Sequence, residues 1–146
     1  MLRLVPGYRR SAVLLDDTIE VPEGREGPAI EALIKQIARA RLNASVDHFA
    51  GVIGKPRGKI TLRDTRSRWG SCSAEGNLMF SWRLAMAPPE ALTYVAAHEV
   101  AHLQHMDHSS AFWGTCTRLY PETKSQRAWL RTHGSALHRY RFRADD

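Results

Sequence analysis

A chain of 146 residues with 43% hydrophobic content has enough apolar material for one compact core, which excludes a short peptide or a disordered tail. No run is long enough to span a bilayer, and the apolar stretch before Pro6 is too short for a secretory signal, so a soluble, cytoplasmic protein with no membrane partner is expected. The net charge of +6 leaves an anionic partner open.

Taken in chain order, Val13–Leu15 and Thr18–Val21 flank a turn at Asp16–Asp17 and predict a short hairpin or a pair of edge strands, so residues 1–24 form a short N-terminal strand region of a single domain expected to span 1–146. Glu23–Pro28 is rich in breakers and reads as a connection. Ile30, Leu33, Ile34, Ile37, Ala38 and Leu42 then recur at helical spacing, continued by Val46 and Phe49 up to Gly51, which predicts one long amphipathic helix backing the sheet.

Lys59–Arg63 alternates as a half-exposed strand does. Leu78–Leu84 alternates more strongly, placing Leu78, Phe80, Trp82 and Leu84 on one face. Between them, Thr65–Ser73 leads into Ala74-Glu75-Gly76-Asn77, a turn that suggests an antiparallel connection. Trp69 in this segment has two readings, a core plug or part of a strand edge that takes up extended peptide.

Pro88-Pro89-Glu90 opens the next helix, with proline in the first turn and an acid favoured by the helix dipole. That helix carries His98-Glu99-Val100-Ala101-His102, the pattern H-E-x-x-H. At about 100° per residue, His102 lies roughly 40° round from His98 and one turn along, so both imidazoles can reach one ion. Glu99 falls about 60° beyond His102, near enough to touch water at that ion without ligating it. Leu92, Val95, Ala96, Val100 and Leu103 supply the face to be buried.

A catalytic zinc takes three protein ligands and keeps one position open, so a third is needed. His108 is favoured, because a helix beginning after an N-cap at Ser109 and running from about Ser110 to Leu119 would let the chain fold His108 back over the ion. His105 lies about two turns from His98 along the axis, too far to share the ion, and is expected to line the cleft. Glu122 stays open as a rival, in the manner of a two-histidine, one-glutamate site. Pro121 ends the helix, a last one starts near Ser125 and is interrupted at Gly134, and residues 140–146 read as a frayed tail.

Cys72 and Cys116 are too few for a disulfide scaffold and are expected to be small, largely buried thiols. Basic residues cluster twice: six against one acid from Lys55 to Arg68, and six with no acid from Lys124 to Arg143. Both clusters could contact nucleic acid phosphates, yet neither has the aromatic interleaving or finger pattern of a dedicated reader.

Several of these segments carry a family likeness. Arg66-Ser67-Arg68-Trp69-Gly70-Ser71-Cys72-Ser73, then Phe80-Ser81-Trp82-Arg83-Leu84, then His98-Glu99-Val100-Ala101-His102-Leu103, and His108-Ser109 with Phe112-Trp113, resemble the YgjP-like metallopeptidases, relatives of the SprT-like zincins, over about residues 25 to 135. The resemblance implies an α+β minimal zincin-like fold: a small, mostly antiparallel sheet packed on a backing helix and an H-E-x-x-H helix, with C-terminal helices. It also implies His98, His102 and His108 on one zinc per chain and Glu99 as base. Two departures are a shorter N-terminal region than is usual and serine at position 81, where asparagine is usual.

The expected activity is zinc-dependent hydrolysis of peptide bonds in a peptide or protein substrate, with Glu99 moving the proton from water to the leaving amine. Arg68, Tyr94, His105 and Tyr120 are candidates for the oxyanion partner and are not ranked by sequence. The alternative is a nucleic-acid-associated SprT-like protein, either a protease acting on DNA-bound protein or a binding module with a mainly structural metal; distant cysteines argue against the structural metal.

Overall fold

The computed structural model describes residues 3–7, 13–15, 18–22 and 26–139, with side chains from residue 27 onward. The Asp16–Asp17 turn, residues 23–25 of the expected connection and the tail at 140–146 lie outside the described residues. β1 (Arg3–Gly7), β2 (Val13–Leu15) and β3 (Thr18–Pro22) form a first sheet in the order β1-β3-β2. β2 and β3 pair antiparallel, as the hairpin reading expects, while β1 adds in parallel to β3 and was not anticipated.

The second sheet repeats that arrangement with β4 (Ile60–Arg63), β5 (Gly70–Cys72) and β6 (Leu78–Ser81) in the order β4-β6-β5. The tight turn at Ser73–Asn77 gives the antiparallel β5–β6 pair: Gly76 takes φ 84°, and Gly76 N–H donates to the Ser73 carbonyl at 2.9 Å. β4 instead runs parallel to β6. The expectation of a mostly antiparallel sheet is thus corrected to a mixed one. β4 and β5 run in opposite directions with a gap between them, and β6 fills the gap, so it must meet one of each sense.

A second correction concerns Leu78–Leu84. The strand stops at Ser81, and Trp82–Met86 forms a 3-10 turn whose first N–H groups are capped by Ser81, its Oγ accepting from Arg83 N–H at 3.3 Å. Asparagine has the same capping ability, so serine at 81 keeps this local role. All four apolar residues of the run are still buried, but Trp82 and Leu84 reach the core from the turn rather than from the sheet.

α1 (Glu26–Ile53) begins earlier than the breaker-rich segment suggests, because Pro28 falls in the first turn, where its missing N–H costs nothing. Ile30, Ile34, Ala38, Leu42 and Val46 recur every fourth residue as its buried stripe. Each fully buried branched side chain contributes about 1.5–3 kcal/mol. The helix packs chiefly on the 3-10 turn and on α2 (Pro89–Ala101), with β3 and β4 lesser neighbours, so it backs the metal helix more than the sheets. Alanines 91, 96, 97 and 101 are fully buried on α2.

α3 (Ser110–Leu119) and α4 (Thr123–Leu137) complete the chain. α4 is not interrupted at Gly134. A Cβ there would stand 2.8 Å from Trp69 Cζ2, so the glycine marks a close approach rather than a break. Arg83, 1% exposed, ties three elements together: its Nε and Nη2 donate to Asp64 Oδ1 and Oδ2 at 2.7 and 3.1 Å, and its Nη1 donates to the Leu137 carbonyl at 3.0 Å, where a cation suits the helix end. Among the described residues, no helix is long and apolar enough to cross a membrane.

Candidate metal centre

α2 starts on Pro88-Pro89 with Glu90 in its first turn, as the sequence predicts, and its regular part ends at Ala101. His102 keeps helical backbone angles as the C-cap, its N–H donating to the Glu99 carbonyl at 3.1 Å, so the two histidines of the motif still share one face. The chain then tightens through Gln104 and turns back. Ser109 caps α3, its Oγ accepting from Phe112 N–H at 3.3 Å. This places His108 beside the pair.

The nitrogen atoms offered by His98, His102 and His108 lie within 4.8 Å of one another. His98 Nε2 and His108 Nε2 face each other at 3.3 Å. Two nitrogens bound to one tetrahedral zinc at 2.0–2.1 Å stand about 3.3 Å apart, so this spacing fits a shared ion. Among the described residues Glu122 does not join the group; it is exposed at the start of α4.

The opposite ring nitrogens are tied down. His102 Nδ1 lies 2.9 Å from the His105 carbonyl, which can only accept, so Nδ1 carries the proton and Nε2 keeps its lone pair. His98 Nδ1 lies 3.2 Å from the Tyr94 hydroxyl, and the tautomer with a free Nε2 has Nδ1–H donating to the phenol oxygen. Burial, then repulsion from His102 and His108, pushes His98 down to about 3, so its ring is held neutral. Burial lowers His102 as well. Neutral imidazoles with outward lone pairs are the donor set zinc requires.

Phe112 was not singled out from spacing. It is fully buried, stacks on His102 at 4.3 Å and meets His98 and His108 edge-on at 4.9 and 5.0 Å, so one ring floors all three imidazoles. Its sequence signals are its place three residues after the Ser109 cap and its part, with Trp113, in the family likeness.

Glu99 is 5% exposed, and burial lifts it to about 8 against the opposing pull of Arg68. β5 lies directly against it: a Cβ on Gly70 would stand 2.9 Å from Glu99 Cγ. A cleft of about 370 Å³ runs between Gly70–Cys72 on one side and His98, Glu99, His102 and His108 on the other. Cys72 opens onto it as a thiol pushed up to about 11 by burial and by Glu99, and it donates to the Ser73 carbonyl at 3.4 Å.

The four oxyanion candidates separate. Arg68 lines the cleft with Glu99. Tyr94 is buried against His98, and burial first of all keeps its phenol protonated. His105 contributes its carbonyl to His102, where a cleft-lining ring had been expected. Tyr120 caps α3 and has Glu90 and Glu122 for neighbours; Glu90 is about 13 Å from Glu99 along the helix axis.

Such a donor set beside a buried carboxylate is of the metallohydrolase class. The chain matches the family model described as YgjP-like, metallopeptidase domain, over residues 10–133, and it belongs to that family. Among curated proteins none matches. Two solved structures share the fold: the metallopeptidase zymogen of Pyrococcus abyssi abylysin (21% identity, TM-score 0.54, covering 64% of this chain and 93% of that one) and that of Methanocaldococcus jannaschii jannalysin (14% identity, TM-score 0.52, covering 65% and 96%).

Proposed function

We propose that this chain is an H-E-x-x-H zinc endopeptidase in which His98, His102 and His108 hold one zinc and Glu99 is the general base. The observation that carries the reading is the meeting of three imidazoles, two of them with nitrogens 3.3 Å apart, beside a carboxylate that is almost fully buried. Bound there, zinc would supply Lewis acidity for the attacking water and the scissile carbonyl. A nearby cation also favours ionised Glu99, which burial alone disfavours. Glu99 then takes the proton from the attacking water and returns it to the leaving amine.

β5 supplies a track for the substrate. It is an edge strand, and Trp69 C=O and Ser73 N–H bond to Ser81 and Asn77 on the β6 side. By alternation Ser71 faces β6 as well, while the backbone groups of Gly70 and Cys72 face the other way. An extended peptide can pair with them and so bring its carbonyl past Glu99. Space continues on both sides of the imidazoles, towards Arg68 and Arg127 at one end and towards Ser73–Gly76 and Met106 at the other, which suits cleavage within a chain.

A mainly structural metal needs a fourth protein ligand, and among the described residues only the three histidines gather. The test is Glu99→Gln. The variant should bind zinc as the parent does and lose hydrolysis of an unfolded protein by about 10²–10⁴-fold; equal cleavage by both proteins removes Glu99 from the role of base.

A further inference from the structure

On the Glu99 side the cleft opens into a cavity of about 330 Å³ between the β4–β5 loop, α2 and α4. Its floor is apolar, from Trp69, Val95 and Leu130, and its walls carry Arg68, Arg127 and Arg131. The three cations come from separate supports. Arg68 sits in the loop, its carbonyl accepting from the Thr65 hydroxyl at 2.8 Å. Arg127 lies over the Trp113 ring at 4.4 Å. Arg131 follows one turn later on the same face of α4. Among the described residues no carboxylate forms an ion pair with any of them, since those pairs are made by Lys35, Arg57 and Arg83. Glu99 is the one acid among the cavity's lining residues. An apolar floor under unpaired guanidiniums is a receptor for a short chain that ends in a carboxylate.

The position of the cavity says which part of a substrate enters it. Glu99 must reach the leaving amine to protonate it, and this cavity is lined by Glu99 and His98, whereas the cavity at the other end is lined by His102 without Glu99. The residue that carries the leaving amine therefore stands at the arginine end. A peptide added antiparallel to β5 would run the same way, its C-terminal part reaching Arg68.

We propose that Arg68, Arg127 and Arg131 select a carboxylate on the leaving-group side of the scissile bond. It is either an acidic side chain directly after the cut or the free α-carboxylate of a peptide end. The inference rests on the peptidase reading for its orientation, and the two can fail separately.

The test uses the full zinc-loaded chain and quenched fluorescent peptides that differ only after the cut, with Glu, Gln or Lys there. A second pair ends at that residue with a free or an amidated carboxyl group. The Glu peptide should exceed the Gln peptide in kcat/KM by about tenfold or more, with Lys lowest, and added salt should narrow the gap. If the free chain end is favoured over its amide and Glu is not favoured over Gln, the α-carboxylate is the group recognised. Arg127→Gln and Arg131→Gln should each bring the Glu-to-Gln ratio towards one, and Arg131→Lys should restore part of it. Anisotropy with the same peptides on zinc-loaded Glu99→Gln should give the same order without turnover. Cleavage and binding that ignore the carboxylate overturn the proposal and leave the peptidase reading standing. Arginine-dependent binding of acidic peptides by a parent protein that cleaves none overturns the peptidase reading instead.

Discussion

Gly70 and Glu99 are in such close register that the smallest side chain at 70 would collide with the carboxylate arm, a Cβ standing 2.9 Å from Cγ and 3.0 Å from Oε2. The strand that would carry the substrate is thereby set directly against the residue proposed as proton carrier.

Gly70→Ala must push one of the two aside. We expect kcat to fall by about tenfold or more while zinc content is retained, because a general base displaced by an ångström loses much of its 10²–10⁴-fold contribution. Steady-state kinetics with parallel metal analysis checks this. Unchanged kcat would mean that Glu99 has slack in its position.

Tyr94 separates two roles. If it orients His98 through Nδ1, Tyr94→Phe should weaken zinc binding by about 10–100-fold, read by competition with a chromogenic chelator, with kcat at saturating zinc much less affected. An oxyanion role would give the opposite split, intact zinc affinity and a reduced kcat.

How much of this was legible in the sequence depends on the kind of signal each residue gives. The H-E-x-x-H spacing, the Pro88-Pro89 start and the Ser109 cap are local rules, and each element they mark lies where those rules put it. Gly134 gave the wrong message, since its purpose is distant: it makes room for Trp69, which in turn stacks on His138 at 5.2 Å. Trp69 is partly buried against the core, as the core-plug reading has it, and it also lines the arginine cavity. The parallel β4–β6 pair was equally hidden, because a hairpin turn specifies its own two strands and says nothing about a third. His105 was noticed for its ring and serves through a carbonyl that every residue possesses.

Asp64 carries a pH prediction. The Arg83 guanidinium bonded to it holds its carboxyl below the ordinary value of 3.8, with burial opposing. A depressed folded-state pKa contributes stability above the ordinary carboxylate range, and that contribution is lost as pH falls through the folded value. Asp64→Asn should therefore cost about 1–3 kcal/mol at pH 7, because the charge-assisted pair with Arg83 is lost, and the gap to the parent should begin to narrow below about pH 4. Urea unfolding at pH 7 and pH 3 reads both. A gap that stays constant across this range would show that the pairing contributes nothing through charge.

The central claim is that three imidazoles share one ion. Its most direct test is a crystal of the zinc-loaded protein, measured on both sides of the zinc absorption edge. We expect one anomalous peak per chain, about 2.0–2.1 Å from Nε2 of His98, His102 and His108, with Glu99 near it but outside bonding distance. A peak held by His98 and His102 with Glu122 in place of His108, or no peak between these rings, would contradict the account.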